Sequence, residues 1–383
     1  MRLLFVTQDF PPDVGGIQTY SWELAPRLAR RCEQFRLLAP ARPGDTEIDA
    51  SLDFPVDRLP IRSDLLVLRA IPAIFRLARR MSIDVAFHVQ WQTALASLLV
   101  RRFTGTPARL AVTLHGRDTV FNPFERSPLR QGYDCLRRKT VGAADHVLPV
   151  SQFLARRAHH LGASDSQIST VSNATNPDVF YPDPAPSLRS ELDAEGRPIV
   201  LTAGRMVPKK GFDTALRALG HVRHEVPNVL LLLAGTGPEE SSLKQLAQEL
   251  DLEAHVRFLG DLSQDQLRRH YTLADVFMMV GREVPNDVEG FGLVYLEANA
   301  CGTPVIGARA GGVPDAVRDG ETGLLVPPED PAAAAEALTR LLTTPEFAQR
   351  LGQQGQERIQ KEANWDRVAD QIYTLLRRNV DEG

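Results

Sequence analysis

Short apolar runs bounded by turn residues alternate along this chain with stretches in which apolar positions recur every third or fourth residue. The first pattern reads as buried strands and the second as helices with one face inward. Residues 2–7 form the first such strand, followed by a loop containing Pro11-Pro12 and Gly15-Gly16 and by a helix through Tyr20, Leu24 and Leu28. Strands follow at 35–39, 85–89, 110–114 and 147–150, with helices at 65–80 and 93–102. After a Pro-rich connector from Pro177 to Pro186 the pattern restarts, with strands at 198–203, 229–234, 256–259, 276–280 and 305–306. Helices lead up to Leu250, start after Gly311-Gly312, follow Pro331 and close the chain around Trp365 to Leu376. Strand–loop–helix alternation run twice predicts an α/β protein of two Rossmann-like doubly wound domains. The expected ranges are 1–180 and 190–362, with 363–383 as a terminal helix.

Length agrees with that division, since 383 residues exceed a single comfortable core. No apolar run approaches the 18 residues of a membrane span. The N-terminus enters a strand directly, without signal-peptide anatomy. Cys32, Cys135 and Cys301 are odd in number and far apart, which fits neither a disulfide framework nor a metal site. A reducing, cytoplasmic compartment is the expectation. The net charge of −4 hides an asymmetry: residues 1–180 carry 23 Lys and Arg against 17 Asp and Glu, and the remainder carries 21 against 31. A basic first half fits an anionic acceptor or lipid surface, and fits ordinary solubility equally well. Residues 68–81, an apolar face mixed with arginines, suit an anionic membrane surface or, more commonly, a packed surface helix with a solvated basic side.

Candidate chemistry concentrates in Val288-Glu289-Gly290-Phe291-Gly292-Leu293-Val294-Tyr295-Leu296-Glu297, a loop entering a helix that Gly302-Thr303-Pro304 ends. Backbone N–H groups of Phe291, Gly292 and Leu293 would be free at the helix start, where a phosphate is favoured. Glu289 would sit before the helix and Glu297 two turns inside it, on roughly the same side of the axis. The ordinary alternative is a capping Glu and a solvated helical Glu. Arg205 and Lys210 flank one turn after a strand and could grip one diphosphate, Lys209 being the less telling neighbour. His115 falls at the carboxyl end of a strand, where functional groups gather in open α/β sheets. No Asp-x-Asp pair occurs, so a required catalytic metal is not expected. Gly235-Thr236-Gly237 lacks the third glycine of a dinucleotide fingerprint, position 240 being Glu240. Neither a phosphate loop nor a nucleic-acid motif is present.

The segment from Asp287 to Ala298 resembles the E-x7-E signature of retaining glycosyltransferases of the GT-B architecture, two Rossmann-like domains facing a central cleft. Together with Val6-Thr7-Gln8-Asp9-Phe10-Pro11-Pro12 and Gly15-Gly16-Ile17-Gln18, it is most similar to the bacterial phosphatidylinositol mannosyltransferases. The motifs keep family order from residue 1 to about 325. The resemblance implies that Arg205 and Lys210 neutralise the donor's diphosphate and that Glu289 orients the sugar. It implies Glu297 on the ribose, Phe291, Gly292, Leu293 and Val294 lining the donor, and His115 beside the sugar. Gly16 would offer its N–H from the opposite domain, and backbone near Leu259 would read the base. The terminal helix would return to the first domain. The reaction would be front-face, the departing phosphate assisting deprotonation of the acceptor, with no cofactor beyond the nucleotide-sugar. GDP-mannose is the expected donor, with UDP-glucose or UDP-N-acetylglucosamine as the alternative. A catalytically silent nucleotide-sugar-binding protein is the reading from a different class. The acceptor could be a lipid-linked inositol, a polysaccharide end or a small alcohol, the first placing the chain peripherally at the inner face of the cell membrane. Nucleic acid is not an expected partner, and the motifs do not speak to oligomeric state.

Overall fold

The computed structural model describes residues 1–60, 66–124 and 126–381. The chain divides into two compact units, 1–173 with 365–383 and 174–364. In the first unit the strands are β1 (Arg2–Val6), β2 (Gln34–Pro40), β3 (Val56–Leu59), β4 (Val85–His88), β5 (Arg109–Leu114) and β6 (His146–Pro149). They form one parallel sheet in the order β3-β2-β1-β4-β5-β6. In the second unit they are β7 (Ile199–Ala203), β8 (Leu230–Ala234), β9 (Val256–Gly260), β10 (Val276–Met279), β11 (Val305–Ala308) and β12 (Gly323–Val326). These also form a parallel sheet, in the order β12-β11-β10-β7-β8-β9. Numbered from its own first strand, each sheet runs 3-2-1-4-5-6, the doubly wound order whose direction of winding reverses between strands one and four.

The continuous apolar runs explain the central strands. Every position of β4, β7 and β8 is buried, as parallel strands covered by helices on both faces must be. Leu4, Val6, Ala86, Leu110 and Val112 anchor the core of the first unit, and Val200, Leu231, Leu233, Met278 and Ile306 that of the second. Helix starts follow their sequence signals: Asp330 accepts from the N–H of Ala333 at 2.9 Å, ahead of Pro331 at the first helical position.

Two strands are not among those expected from the sequence, β3 and β12, and each lies at an edge of its sheet. β3 reads Val-Asp-Arg-Leu with only Leu59 buried, so its composition resembles a loop. The helices Arg130–Gly142, Gln152–His160, Phe212–Val222 and Gln264–Leu273 also go beyond the sequence pattern. The helix expected over 65–80 spans Leu66–Arg80, and residue 65 lies outside the described residues.

Residues 174–180, grouped by sequence with the first domain, pack within the second unit. The N–H of Thr175 donates to Ala363 O at 3.1 Å, and the Phe180 ring lies 6.0 Å from that of Tyr271. The helix Trp365–Asp381 belongs to the first unit. Trp365 meets the Tyr20 ring edge-on at 5.6 Å, and Arg31 Nε reaches Asp370 Oδ1 at 2.7 Å, fixing this helix against Gly16–Ala29.

Candidate active site

In the second unit, the loops leaving β7 and β10 rise on either side of the reversal in winding, where ligands bind in open α/β sheets. The loop after β7 passes Arg205, makes a single tight turn at Pro208–Lys210 and reaches Gly211 at φ +68°. A Cβ on Gly211 would stand 2.1 Å from the carbonyl oxygen of Val280, so only glycine lets this turn press against the end of β10. That contact brings two lysines onto the other loop. Lys210 Nζ lies 2.7 Å from Glu289 Oε2, and Lys209 Nζ lies 2.9 Å from Asp287 Oδ1. Lys209 also accepts the N–H of Arg282 on its carbonyl at 2.9 Å. The less telling lysine of the sequence thus ties down the loop that carries Glu289. Arg205 is exposed and makes no ion pair among the described residues.

Burial drives the carboxyl of Glu289 upward, but the charges of Lys210 and Lys209 and the hydrogen bond from Lys210 outweigh it and hold Glu289 below the ordinary range. The carbonyl of Glu289 accepts from the N–H of Gly312 at 2.9 Å. Gly292, at φ +98°, turns the chain into the helix Leu293–Ala300, and a Cβ there would meet the Tyr295 ring at 2.6 Å. The helix therefore starts later than the spacing suggested. Glu297 is its fifth residue, little more than one turn inside, because residues 289–292 are held in the loop by Gly292 and by the Gly312 contact. Helical periodicity does not relate the two carboxylates; Lys210 does, since its charge acts on both. Glu297 accepts from the Tyr271 hydroxyl at 3.0 Å, and burial pushes it up to about 7 against the pull of Tyr271 and Lys210.

Phe291, Gly292, Leu293 and Val294 all lie at this helix start, the first two buried. At the end of β9 the register slips: Leu233 pairs with Phe258 and Ala234 with Gly260, so Leu259 is passed over. Such a bulge re-aims backbone at a strand end.

In the first unit, the corresponding reversal lies between β1 and β4. Asp9, after β1, accepts from Gln18 Nε2 at 3.0 Å and from the side-chain amide of Gln90, after β4. Gln90 in turn accepts the N–H of Gln8 at 3.1 Å. Burial, with help from Asp13, raises the carboxyl of Asp9. Gly16 opens the helix Gly16–Ala29, among whose first N–H groups are the orphans of a helix start. His115 follows β5; its ring lies edge-on to Tyr20 at 4.6 Å, its buried Nε2 has no partner, and burial pushes the imidazole down to about 3. Asp118 Oδ1 accepts the N–H groups of His115 and Gly116 at 3.0 and 2.8 Å and so shapes this loop. Burial pushes Asp118 up to about 6.

Sequence reasoning gave no roles to Lys209, Asp287, Asp9, Gln90, Asp118 and Tyr271. The first five stand in or beside strand-end loops, which was the available signal; Tyr271, in mid-helix, offered none. No group of three or more His, Cys, Asp or Glu placed to hold a metal occurs among the described residues.

Two parallel Rossmann-like sheets, with a cationic turn facing a glutamate loop across the winding reversal of the second, define the class: a GT-B glycosyltransferase. Residues 186–358 match the family model described as glycosyl transferases group 1, and residues 14–179 that of glycosyltransferase family 4. The chain is 32% identical over 386 residues to the GDP-mannose-dependent alpha-(1-6)-phosphatidylinositol monomannoside mannosyltransferase of Mycobacterium tuberculosis, covering 98% of both chains. It is 29% identical, over 98% of its own length and 97% of the relative's, to the monoacylated counterpart in Corynebacterium glutamicum. Among solved structures, sucrose-phosphate synthase of Thermosynechococcus elongatus superposes with a TM-score of 0.82 at 25% identity, over 100% of both chains. Anabaena HepE in complex with UDP gives 0.82 at 20% identity, covering 98% of this chain and 99% of that one. The chain belongs to the group 1 glycosyltransferases.

Proposed function

We propose that this enzyme transfers mannose from GDP-mannose, with retention of configuration, to an inositol-bearing phospholipid acceptor. The observation that carries the reading is the Lys210–Glu289 pair at the winding reversal of the second unit, in a chain matched over nearly its whole length by GDP-mannose-dependent enzymes. Arg205 and Lys210 take the diphosphate, whose charge builds as the sugar departs. Glu289 meets the sugar, Glu297 the ribose, and the helix start at Phe291 to Val294 receives the donor phosphates. Backbone at the Leu259 bulge reads the base. The neutral imidazole of His115 serves the sugar as a hydrogen-bonding group, not as an acid. Because the lysine and arginine supply the positive charge, no metal is required.

A lipid acceptor fits the surface of the first unit. All the large exposed apolar residues among the described residues belong to it except Tyr181. Leu68 and Phe75 on Leu66–Arg80, Leu99 and Phe103 on Trp91–Thr104, and Leu129 and Leu136 at Arg130–Gly142 lie beside exposed Arg69, Arg76, Arg102 and Arg138. The three helices pack in succession. Apolar side chains among arginines suit peripheral binding to anionic lipid. No helix of the described residues is long and apolar enough to cross a membrane.

The test is transfer from radiolabelled GDP-mannose to vesicles containing phosphatidylinositol or its monomannoside, in excess EDTA, with the anomeric configuration read by NMR. An α-mannoside formed without added metal is expected. Faster transfer from UDP-glucose or UDP-N-acetylglucosamine would sink the donor assignment. Absolute dependence on Mg²⁺ or Mn²⁺ would sink the charge assignment.

A further inference from the structure

The carboxylate assigned to the ribose is held from behind by a residue with no place in the donor site. Tyr271 is fully buried on the helix Gln264–Leu273, its ring edge-on to Phe180 and Phe277 at 6.0 and 5.4 Å. Its own carbonyl accepts from Thr303 Oγ1 at 2.6 Å. The two aromatic neighbours pack the buried ring, and its hydroxyl donates to Glu297 Oε2 at 3.0 Å. No protein donor among the described residues occupies the other carboxylate oxygen.

We propose that Tyr271 is a positioning residue for the nucleotide-sugar: its hydrogen bond fixes the orientation of Glu297 and favours the ionised carboxylate, leaving one oxygen to accept from the ribose diol. The inference rests on the assignment of Glu297 to the ribose made above. The groups facing Glu297 are few. Lys210 brings a positive charge from the turn after β7. Cys301, at the end of the same helix, is pushed up to about 12 by burial and stays a neutral thiol. Burial places Glu297 near neutrality, so a phenol that donates to the carboxylate decides how much of it is ionised at pH 7.

The experiment measures GDP affinity by calorimetry at pH 6, 7 and 8.5 for the wild type, Tyr271→Phe, Glu297→Gln and the double variant. Phosphates titrate in this range too, so each affinity is read relative to Glu297→Gln at the same pH. Tyr271→Phe should bind GDP about fivefold more weakly at pH 7 and within about twofold of wild type at pH 8.5, as expected when a carboxylate midpoint rises by about one unit. It should add nothing in the Glu297→Gln background, and kcat at saturating donor should hold. A loss equal at all three pH values, or additive with Glu297→Gln, would show that Tyr271 acts through packing and overturn the inference. Unchanged affinity in Tyr271→Phe, with Glu297→Gln weakened, would overturn it while leaving the ribose assignment standing. Full affinity in Glu297→Gln would instead defeat that assignment itself.

Discussion

The two units place different bridges at the same point of the same fold. Where winding reverses in the second sheet, a lysine meets a glutamate, Lys210 on Glu289, with Lys209 and Asp287 alongside. Where it reverses in the first, an acid meets two amides, Asp9 with Gln18 and Gln90. One bridge carries fixed positive charge and holds its carboxylate ionised. The other brings no cation into direct contact with its acid, and burial raises that acid. The difference shows that shared topology assigns a location and leaves the chemistry to the loops. A diphosphate leaving group needs preorganised cations.

The largest effect should come from breaking the charged bridge. Lys210→Ala removes the cation proposed for the diphosphate and leaves Glu289 partly buried without the Lys210 contact. GDP affinity should fall, and turnover should drop by about 100-fold or more, the scale of one lost transition-state contact. Gln90→Ala, the corresponding cut in the first unit, should leave GDP affinity within about twofold, since that bridge is not assigned to the nucleotide, while costing about 1–2 kcal/mol of stability through unmet hydrogen bonds. Calorimetry and steady-state kinetics on both variants test the contrast. Equal GDP losses would mean that the two bridges do not divide the work.

The next effect separates the two glutamates of the second unit. Glu289→Gln should lower kcat by about tenfold and leave GDP binding nearly intact, because GDP carries no sugar. Glu297→Gln should weaken GDP and donor alike and raise KM more than it lowers kcat. The reversed pattern would exchange the assignments. If neither variant changes either quantity, both are structural carboxylates.

What the sequence made legible follows from burial. Central strands such as β7 and β8 are apolar at nearly every position because helices cover both faces, and they stand out as runs. The edge strand β3 does not: Asp57 and Arg58 stand at its centre, so apolar periodicity has little to report. At the site, Arg205, Lys210, Glu289 and Glu297 were readable as residue types at strand ends. Their pairing was not, since the approach of Gly211 to Val280 O that joins the loops is a three-dimensional event. The late helix start was hidden for a similar reason, because the Gly312 contact that keeps Glu289 in the loop spans residues 289–312. Tyr271 was invisible because one helical tyrosine in sequence looks like any other.

The smallest effect lies in stability, and its sign tests whether the second unit holds two differently charged carboxylates. Glu297 is raised by burial to about 7 in the folded chain, above an ordinary value of 4.5. A carboxyl whose folded value is raised favours folding while protonated. That contribution is fully present below pH 4.5 and is lost as pH rises through 7, where folding must bury a charge. Glu289 is lowered, so its contribution has the opposite sign: present at neutral pH and lost on acidification. Glutamine cannot ionise. Glu297→Gln should therefore match wild type near pH 5 and exceed it at pH 8, by about 1 kcal/mol after allowance for the partial exposure of the carboxylate. For a unit of this size that is about 2–4 °C in Tm. Glu289→Gln should be the less stable variant at pH 8, because Lys210 loses its partner. Melting the whole protein and its variants at pH 5 and pH 8, without nucleotide, decides the matter. A Glu297→Gln protein less stable than wild type at pH 8 would mean that the Tyr271 hydrogen bond outweighs burial and that the carboxylate is ionised at no cost to the fold.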